Sequence, residues 1–438
     1  MISITKSQKV NVLSIVIRRC RRARIQAANV LKGAVEPVVT RWLTPERLRS
    51  LGRVPSLPSW FRRRYAAVHG SWPSFEAEIP TELRGEPGIV RDAVLERAAF
   101  EEEPLHSFHH NYGGSVNWAL GRLWQATVPV GPRLMRAIAT AQATARATPG
   151  GATQDAQPTD LTAEVRRAAA DVGISTIGIA AYDEKYTFSD LADDLKPPLR
   201  VIVCILEQNW KATQLIPGPV SEQTALSTNA ELMEMTARLA GVLHSLGYPA
   251  RAHTTEGMTI VHHYGVEAGL GQLGINGQLL TPQAGSRCRI AVITTDAPLV
   301  ADAPRDFGIP AICDKCRACV RRCPSGAIPV KRTMHRGVEK AKLNLGRCFP
   351  VVAQVDGCSV CMKVCPVQRY GLGPVLDHYG ETGEIIGTGS DELEGYVWPL
   401  DGRHYGPDER PKLAPEFFLV PGFDGKPKSG PAPSNPLM

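Results

Sequence analysis

The stretch from residue 313 to residue 366 reads Cys313-Asp-Lys-Cys316-Arg-Ala-Cys319-Val-Arg-Arg-Cys323-Pro324, then Cys348, then Cys358-Ser-Val-Cys361-Met-Lys-Val-Cys365-Pro366. Eight of the chain's eleven cysteines lie between Cys313 and Cys365. Three thiolates spaced two residues apart let one tight loop offer three corners to a cubic iron–sulfur cluster, and a fourth cysteine followed by proline ligates the other cluster of a pair. The second half of the motif has lost one cysteine of its own run, and Cys348 supplies the missing thiolate from upstream. By this crossed rule one [4Fe–4S] cluster takes Cys313, Cys316, Cys319 and Cys365, and the other takes Cys323, Cys348, Cys358 and Cys361. No cysteine of the motif is left over.

Structural zinc also uses CxxC pairs, but it draws its four ligands from two separated pairs rather than from three consecutive CxxC steps. A disulfide framework belongs to small secreted chains, whereas this one is long and shows no usable signal sequence. The compartment expected is a reducing one.

The chain has 438 residues, 43% of them hydrophobic, enough for a sizeable core and two or three domains. Its formal net charge is +7, unevenly spread: Lys6, Lys9, Arg18, Arg19, Arg21, Arg22 and Arg24 precede any acidic residue. Arg18-Arg19 invites a twin-arginine export reading, but Lys32, Glu36 and Arg41 break the apolar core that should follow. No stretch approaches the ~18 apolar residues of a spanning helix. The expectation is a cytoplasmic protein without a transmembrane segment, whose basic head is a solvated helix face or a peripheral membrane contact.

Residues 1–142 read as a helical region, with Trp60, Trp72, Trp118 and Trp124 and a histidine and aromatic cluster from His106 to Tyr112. His109 and His110 are adjacent, so on a helix they diverge rather than share a metal. Residues 143–160, rich in Ala, Thr, Gly, Gln and Pro, read as a linker. An α/β domain is expected over 161–305, opening with a helix capped by Asp160 and ended by Gly173. Strands follow at Thr176–Ala181 and Arg200–Leu206. Leu232, Met235, Leu239, Val242, Leu243 and Leu246 then recur at helical spacing before Gly247. A two-cluster module is expected over 306–370, and a wrapping tail over 371–438, pinned by Phe417–Val420.

The glycines Gly269, Gly271 and Gly274 spell GxGxxG, with Asp296 about twenty residues on. A dinucleotide fold requires a helix to begin within those glycines, and Gly277 and Pro282 interrupt the following stretch. A close-packed loop beside a cofactor is the better reading.

The segment from Ala268-Gly-Leu-Gly-Gln-Leu-Gly through Asn276 to Asp296, followed by this cysteine arrangement, resembles the corrinoid-dependent reductive dehalogenases and their relatives, the epoxyqueuosine reductases. The resemblance spans about Asp160 to Arg369. It implies a nitroreductase-like α/β domain that holds a base-off cobalamin, and a ferredoxin-like module that feeds it electrons. The dehalogenases' proton-donating tyrosine matches a position close to Asn229 or Ala230, and no tyrosine stands there. The reductases' acidic residue matches Thr255. The basic residue that assists the dehalogenases matches Arg287 or Arg289, and Glu256, His263 and Tyr264 are substitute donors. Cys204 and Cys288 are expected to be inert buried thiols.

The expected protein is therefore an α/β (α+β) iron–sulfur oxidoreductase of the reductive dehalogenase-like class, with two [4Fe–4S] clusters and cobalamin. Its catalytic candidates are Arg287, Arg289, Tyr264 and Glu256, and its corrinoid contacts are Gly269, Gly271, Gly274 and Asn276. Reduced ferredoxin, flavodoxin or a similar donor would supply electrons to reduce a small organic substrate, an organohalide among the candidates. A transfer-RNA-modifying reductase and a non-catalytic ferredoxin-type electron carrier are the competing readings.

Overall fold

The computed structural model describes residues 78–92, 94, 118–119, 121–150, 157–174, 176–189, 198–253 and 260–419. All of them belong to one compact unit within Arg62–Met438. The basic head, Trp60, Trp72, the cluster at 106–112, Thr255, Glu256 and Val420 lie outside the described residues.

Helix α1 (Gly131–Thr144) and helix α2 (Pro158–Asp171) take up both ends of the stretch expected to be a linker. Each carries proline in its first two positions, where a missing N–H removes no helix hydrogen bond. Asp160 is not the cap of α2: it stands in the first turn, and Gln157 precedes the helix. Gly173, at φ 94°, ends it as expected.

Four strands, β1 (Thr176–Ala181), β2 (Arg200–Glu207), β3 (Ala250–Ala252) and β6 (Cys288–Thr295), form one antiparallel sheet in the order β1-β2-β6-β3. Helix α3 (Pro219–Ser245) joins β2 to β3. Helix α4 (Val261–Glu267) and the short pair β4 (Gln272–Leu273) and β5 (Leu279–Leu280) precede β6. Successive strand residues point to opposite faces. Ile202, Cys204, Ala291 and Ile293 accordingly pack with Leu161 and Val165 of α2 and with Leu232, Leu239 and Leu243 of α3. Val201, Val203 and Val292 pack on the other face with Tyr186 and Tyr264. Both faces are covered, which is why β2 reads as a near-continuous Val/Ile run rather than an alternation.

The expected apolar stripe on α3 is the one buried, but the helix starts well before it, at Pro219. The GxGxxG stretch leads into the β4–β5 pair and not into a helix. This stretch departs from a nucleotide-binding turn because its backbone folds back on itself as the β4–β5 pair.

The cysteine module consists of helices α5 (Ile309–Cys316), α6 (Ala318–Arg322), α7 (Leu345–Gln354), α8 (Val360–Lys363) and α9 (Pro366–Tyr370), with a hairpin of β7 (Thr333–His335) and β8 (Val338–Lys340) between α6 and α7. Their core also contains Leu83, Ile275 and Leu280, together with Leu372, Val375, Leu376 and Tyr379 of α10 (Leu372–Thr382) and, further on, Trp398. The segment after residue 371 thus contributes core residues and does more than wrap. Its short apolar runs bury single side chains between glycines and prolines, which no periodicity reveals. Phe417 and Phe418 pack on this core, and Gln354 Nε2 donates to the Phe417 carbonyl at 2.8 Å. Buried polar contacts tie the same segment to α6: Arg322 Nε donates to the Glu394 carbonyl at 3.2 Å, its Nη2 to the Tyr405 carbonyl at 3.0 Å, its guanidinium lies over the Tyr396 ring, and the Glu394 carboxylate stands 3.9 Å from Arg322 Nε and accepts from Arg321 Nη2 at 2.9 Å.

Candidate metal centre and redox site

The turn after α5 places Arg317 in the left-handed region, φ 50°, so the chain reverses between Cys316 and Cys319 and all three thiols of the first loop face one way. Cys313, Cys316, Cys319 and Cys365 line one cavity together with Ile275, Asn276 and Leu280. Cys323 packs in a second small group with Cys348, Cys361, Ala327 and Ile328, which Cys319 of the first loop also touches. The fields between thiols follow the two groups in part and also cross between them. Cys319 feels Cys313, Cys361, Cys365 and Cys316, whereas Cys358 feels Cys348, Cys361 and Cys323.

Burial pushes these thiols up, to about 12 for Cys316, Cys348 and Cys365, and the neighbouring sulfurs push in the same direction. Backbone amides oppose this at chosen points: Ile275 on Cys313, Ala318 on Cys316, Val360 on Cys358 and Met362 on Cys361. Such N–H groups aimed at sulfur are what a cluster's negative charge needs. Among the described residues no three Cys, His, Asp or Glu side chains gather closely enough to hold one metal ion.

Antiparallel pairing of β2 with β6 sets Glu207 opposite Cys288 and Leu206 opposite Arg289, so the end of β2 and the start of β6 lie together. The cysteine module meets the sheet at this end. Gly218 N donates to the Gly357 carbonyl at 2.7 Å, Gln368 Nε2 donates to Thr213 Oγ1 at 3.3 Å, and Arg369 lies over the Trp210 ring at 5.2 Å. Several buried polar atoms here have no partner: Trp210 Nε1, Arg289 Nε, Asp356 Oδ2 and Gln368 Oε1. An unmet buried donor or acceptor costs about 1–3 kcal/mol. Their gathering at one junction marks a place where a polar ligand would be stabilising.

The expected catalytic residues separate here. Arg287 Nη1 donates to the Gln208 carbonyl at 2.7 Å and Nη2 to Glu207 Oε2 at 3.1 Å, so this arginine is held by the chain itself. Tyr264 is fully buried, its hydroxyl on the Asp183 backbone and its ring edge-on to Tyr186. His263 also packs edge-on to Tyr186, and burial holds its imidazole neutral. Glu256 lies outside the described residues. Arg289 has its side chain engaged by no hydrogen bond among the described residues, and it feels Glu222.

Glu222 is the residue that the sequence did not bring forward. Asn229 and Ala230 stand in the interior of α3, and Glu222 is in its first turn. Burial raises its carboxyl pKa against the pull of Arg289, and Asp356 adds to the rise. Gly357 presses on it: at φ 107°, a side-chain carbon there would stand 2.6 Å from Glu222 Cβ. His262 beside Arg289 is lowered to about 4 by burial and by the Arg289 and Lys340 charges, so it is neutral at pH 7. Glu222, Arg289 and Asp356 are far apart in sequence, and only the sheet and the module junction bring them together.

At the glycines expected to contact the corrin, the space a Cβ would occupy is filled by the chain itself. The space beside Gly269 is filled by the Ala303 carbonyl and Arg305, beside Gly271 by the Leu280 backbone, and beside Gly274 by Leu280. These glycines permit close packing of the chain on itself. Asn276 Oδ1 accepts from Gln278 N at 3.2 Å, and the loop's apex borders the first cysteine group. Cys204 and Cys288 are buried, and burial raises both thiols, Cys288 to about 12.

Residues 312–369, which contain all eight cysteines, match a 4Fe-4S dicluster domain. The chain is 28% identical over 259 residues to a tetrachloroethene reductive dehalogenase of Dehalobacter restrictus, covering 46% of this chain and 47% of that protein. It is 33% identical over 118 residues to an epoxyqueuosine reductase of Synechococcus, covering 24% and 33%. A solved reductive dehalogenase, described for B12-dependent dehalogenation, superposes with a TM-score of 0.51 at 20% identity, over 65% of this chain and 46% of that one. The chain spans about half the length of the dehalogenases it matches.

Proposed function

We propose, for a chain whose relatives are the reductive dehalogenases and epoxyqueuosine reductases, an iron–sulfur oxidoreductase that delivers electrons through two clusters to a corrinoid and so reduces a small organic substrate. In this reading the four-stranded sheet and its helices are a nitroreductase-like corrinoid-binding unit, and the ferredoxin-like module abuts its cofactor end. Cys313, Cys316, Cys319 and Cys365 hold one cluster, and Cys323, Cys348, Cys358 and Cys361 hold the other. The observation that supports the proposal is the junction of the sheet with the cysteine module, where Gly218 bonds Gly357 and Gln368 bonds Thr213, and where buried polar atoms on each side, Trp210 Nε1 and Arg289 Nε on one and Gln368 Oε1 and Asp356 Oδ2 on the other, have no partner among the described residues. A corrin edged with amides would satisfy such donors and acceptors.

When bound, the clusters carry single electrons and the corrinoid supplies low-valent cobalt as the reductant. The chain's own residues do the rest. Arg289 offers an unpaired guanidinium to an electron-rich substituent and orients it. Burial favours the protonated form of the Glu222 carboxyl, and from that form it can release a proton to the carbon that loses its substituent. For an organohalide the balance is two electrons and one proton in, halide out, and a C–H bond in place of C–X.

The test is anaerobic reconstitution with iron, sulfide and cobalamin, followed by assay on halogenated aromatic and alkene substrates with a chemical reductant. Stoichiometric cobalamin and halide release support the proposal. Clusters without cobalamin uptake would leave the electron-carrier reading, and turnover only of an epoxyqueuosine stem-loop would favour transfer-RNA modification.

A further inference from the structure

The segment between Cys323 and Cys348 carries six Lys or Arg, Lys331, Arg332, Arg336, Lys340, Lys342 and Arg347, against one acidic residue, Glu339. Twenty-four residues therefore hold +5, when the whole chain carries +7. The structure leaves much of this charge unneutralised. Arg332 is paired, with Asp314, but Lys331, Lys342 and Arg347 are exposed and form no ion pair among the described residues. Burial, and then the charges of Lys342 and Arg336, lower Lys340 to about 8.

Geometry fixes part of the charge beside the cysteines. Arg347 Nε donates to the Ser325 carbonyl at 2.6 Å and its guanidinium lies 4.8 Å over the Phe418 ring. Arg410 Nη1 donates to the Cys323 carbonyl at 3.4 Å. Both remain exposed, and a side chain at Gly326 would meet an Arg347 nitrogen at 3.7 Å and an Arg410 nitrogen at 3.9 Å. Asp408 and Glu416 lie on the neighbouring C-terminal segment, and Glu409 is paired with Arg403. Val330 and Met334 are 60% and 41% exposed within the basic segment. Exposed apolar side chains on a charged segment are the composition of a transient protein interface.

We propose that this face, the 324–347 segment with Arg410, docks an acidic one-electron carrier protein. The inference rests on the reading of Cys323 and Cys348 as cluster ligands, because the segment is bounded by those two thiols and a carrier seated on it lies against that cluster. One electron leaves the reduced carrier and one enters the cluster; no proton or group is transferred. Steering by unpaired surface charge acts on the association rate and falls with ionic strength.

The test uses the full chain with clusters reconstituted, and the variant Lys331→Glu/Lys342→Glu/Arg347→Glu. Reduction is followed by stopped flow with a reduced acidic [2Fe–2S] ferredoxin and, separately, with photoreduced deazaflavin, which needs no docking face. The ferredoxin rate constant should fall about tenfold or more and lose its salt dependence, while the deazaflavin rate and the iron content stay as in the parent. An unchanged ferredoxin rate overturns the docking face and leaves the proposed function standing. A parent chain that takes up no iron overturns both. If the variant keeps its ferredoxin rate and instead loses binding of an RNA stem-loop that the parent binds, the face belongs to a nucleic acid and the proposal fails.

Discussion

Glu222 and Gly357 make a small device whose behaviour can be stated in advance. The Glu222 carboxyl is raised by burial, so its neutral form is favoured in the folded chain relative to the unfolded one, where ~4.3 is usual. The stability it contributes is complete below that unfolded value and is lost as pH rises through the higher folded one. Glu222→Gln should therefore flatten this part of the stability-versus-pH curve, as denaturant titrations between pH 4 and 8 would reveal; an unchanged slope would argue that Glu222 is not desolvated. Gly357→Ala should destabilise by at least about 1–3 kcal/mol, because an L-residue is strained at φ 107° and its Cβ would collide with Glu222. At neutral pH, Glu222→Gln should also lower turnover of the loaded enzyme more than it lowers substrate affinity, the mark of a lost proton rather than a lost contact. By the same residue-level logic Gly271 is a poor probe of corrinoid binding, since a side chain there strikes the Leu280 backbone before any ligand.

Among the elements, the cysteine loops carry the sharpest expectation. Cys365→Ala should damage the cluster held by the loop of Cys313, Cys316 and Cys319, whereas Cys323→Ala should damage the one completed by Cys348. Electron paramagnetic resonance of the two variants would distinguish this from damage confined to each cysteine's own sequence neighbours. The segment from Ser390 to Tyr405 is held to α6 by Arg322 and Glu394, whose side chains are each only 1% exposed. Removing one partner strands a buried charge, so Glu394→Ala should cost about 3–5 kcal/mol and lower the thermal midpoint of the reconstituted protein. A loss under about 1 kcal/mol would mean that solvent reaches the pair in solution.

For the whole molecule the first quantity to measure is metal. Two cubic clusters on eight thiols require about eight irons and eight sulfides per chain, and zinc in their place would remove the basis for the proposed function. Among the described residues no helix is long and apolar enough to cross a membrane. What could be read without coordinates was what depends on local spacing. The CxxC steps, the Cys-Pro pairs, the apolar strand at Arg200–Leu206 and the stripe from Leu232 to Leu246 each place their residues through a few bonds of chain, and the ligand spacing of a cluster or the period of an element follows directly. Arg289 was legible as a candidate, but not its difference from Arg287, because that difference is made by the Gln208 carbonyl and Glu207 on the paired strand. Glu222 was not legible at all. Its role depends on α3 starting at Pro219, on β6 bringing Arg289 alongside, and on Gly357 arriving from the cysteine module. The same holds for α10 and Trp398, which join the module core without a periodic signal. Sequence by itself determined the local chemistry of the eight thiols and the elements with a clear period. Only the tertiary structure decided which polar groups are buried together without partners, because desolvation and long-range charge act through space between residues that the chain keeps far apart.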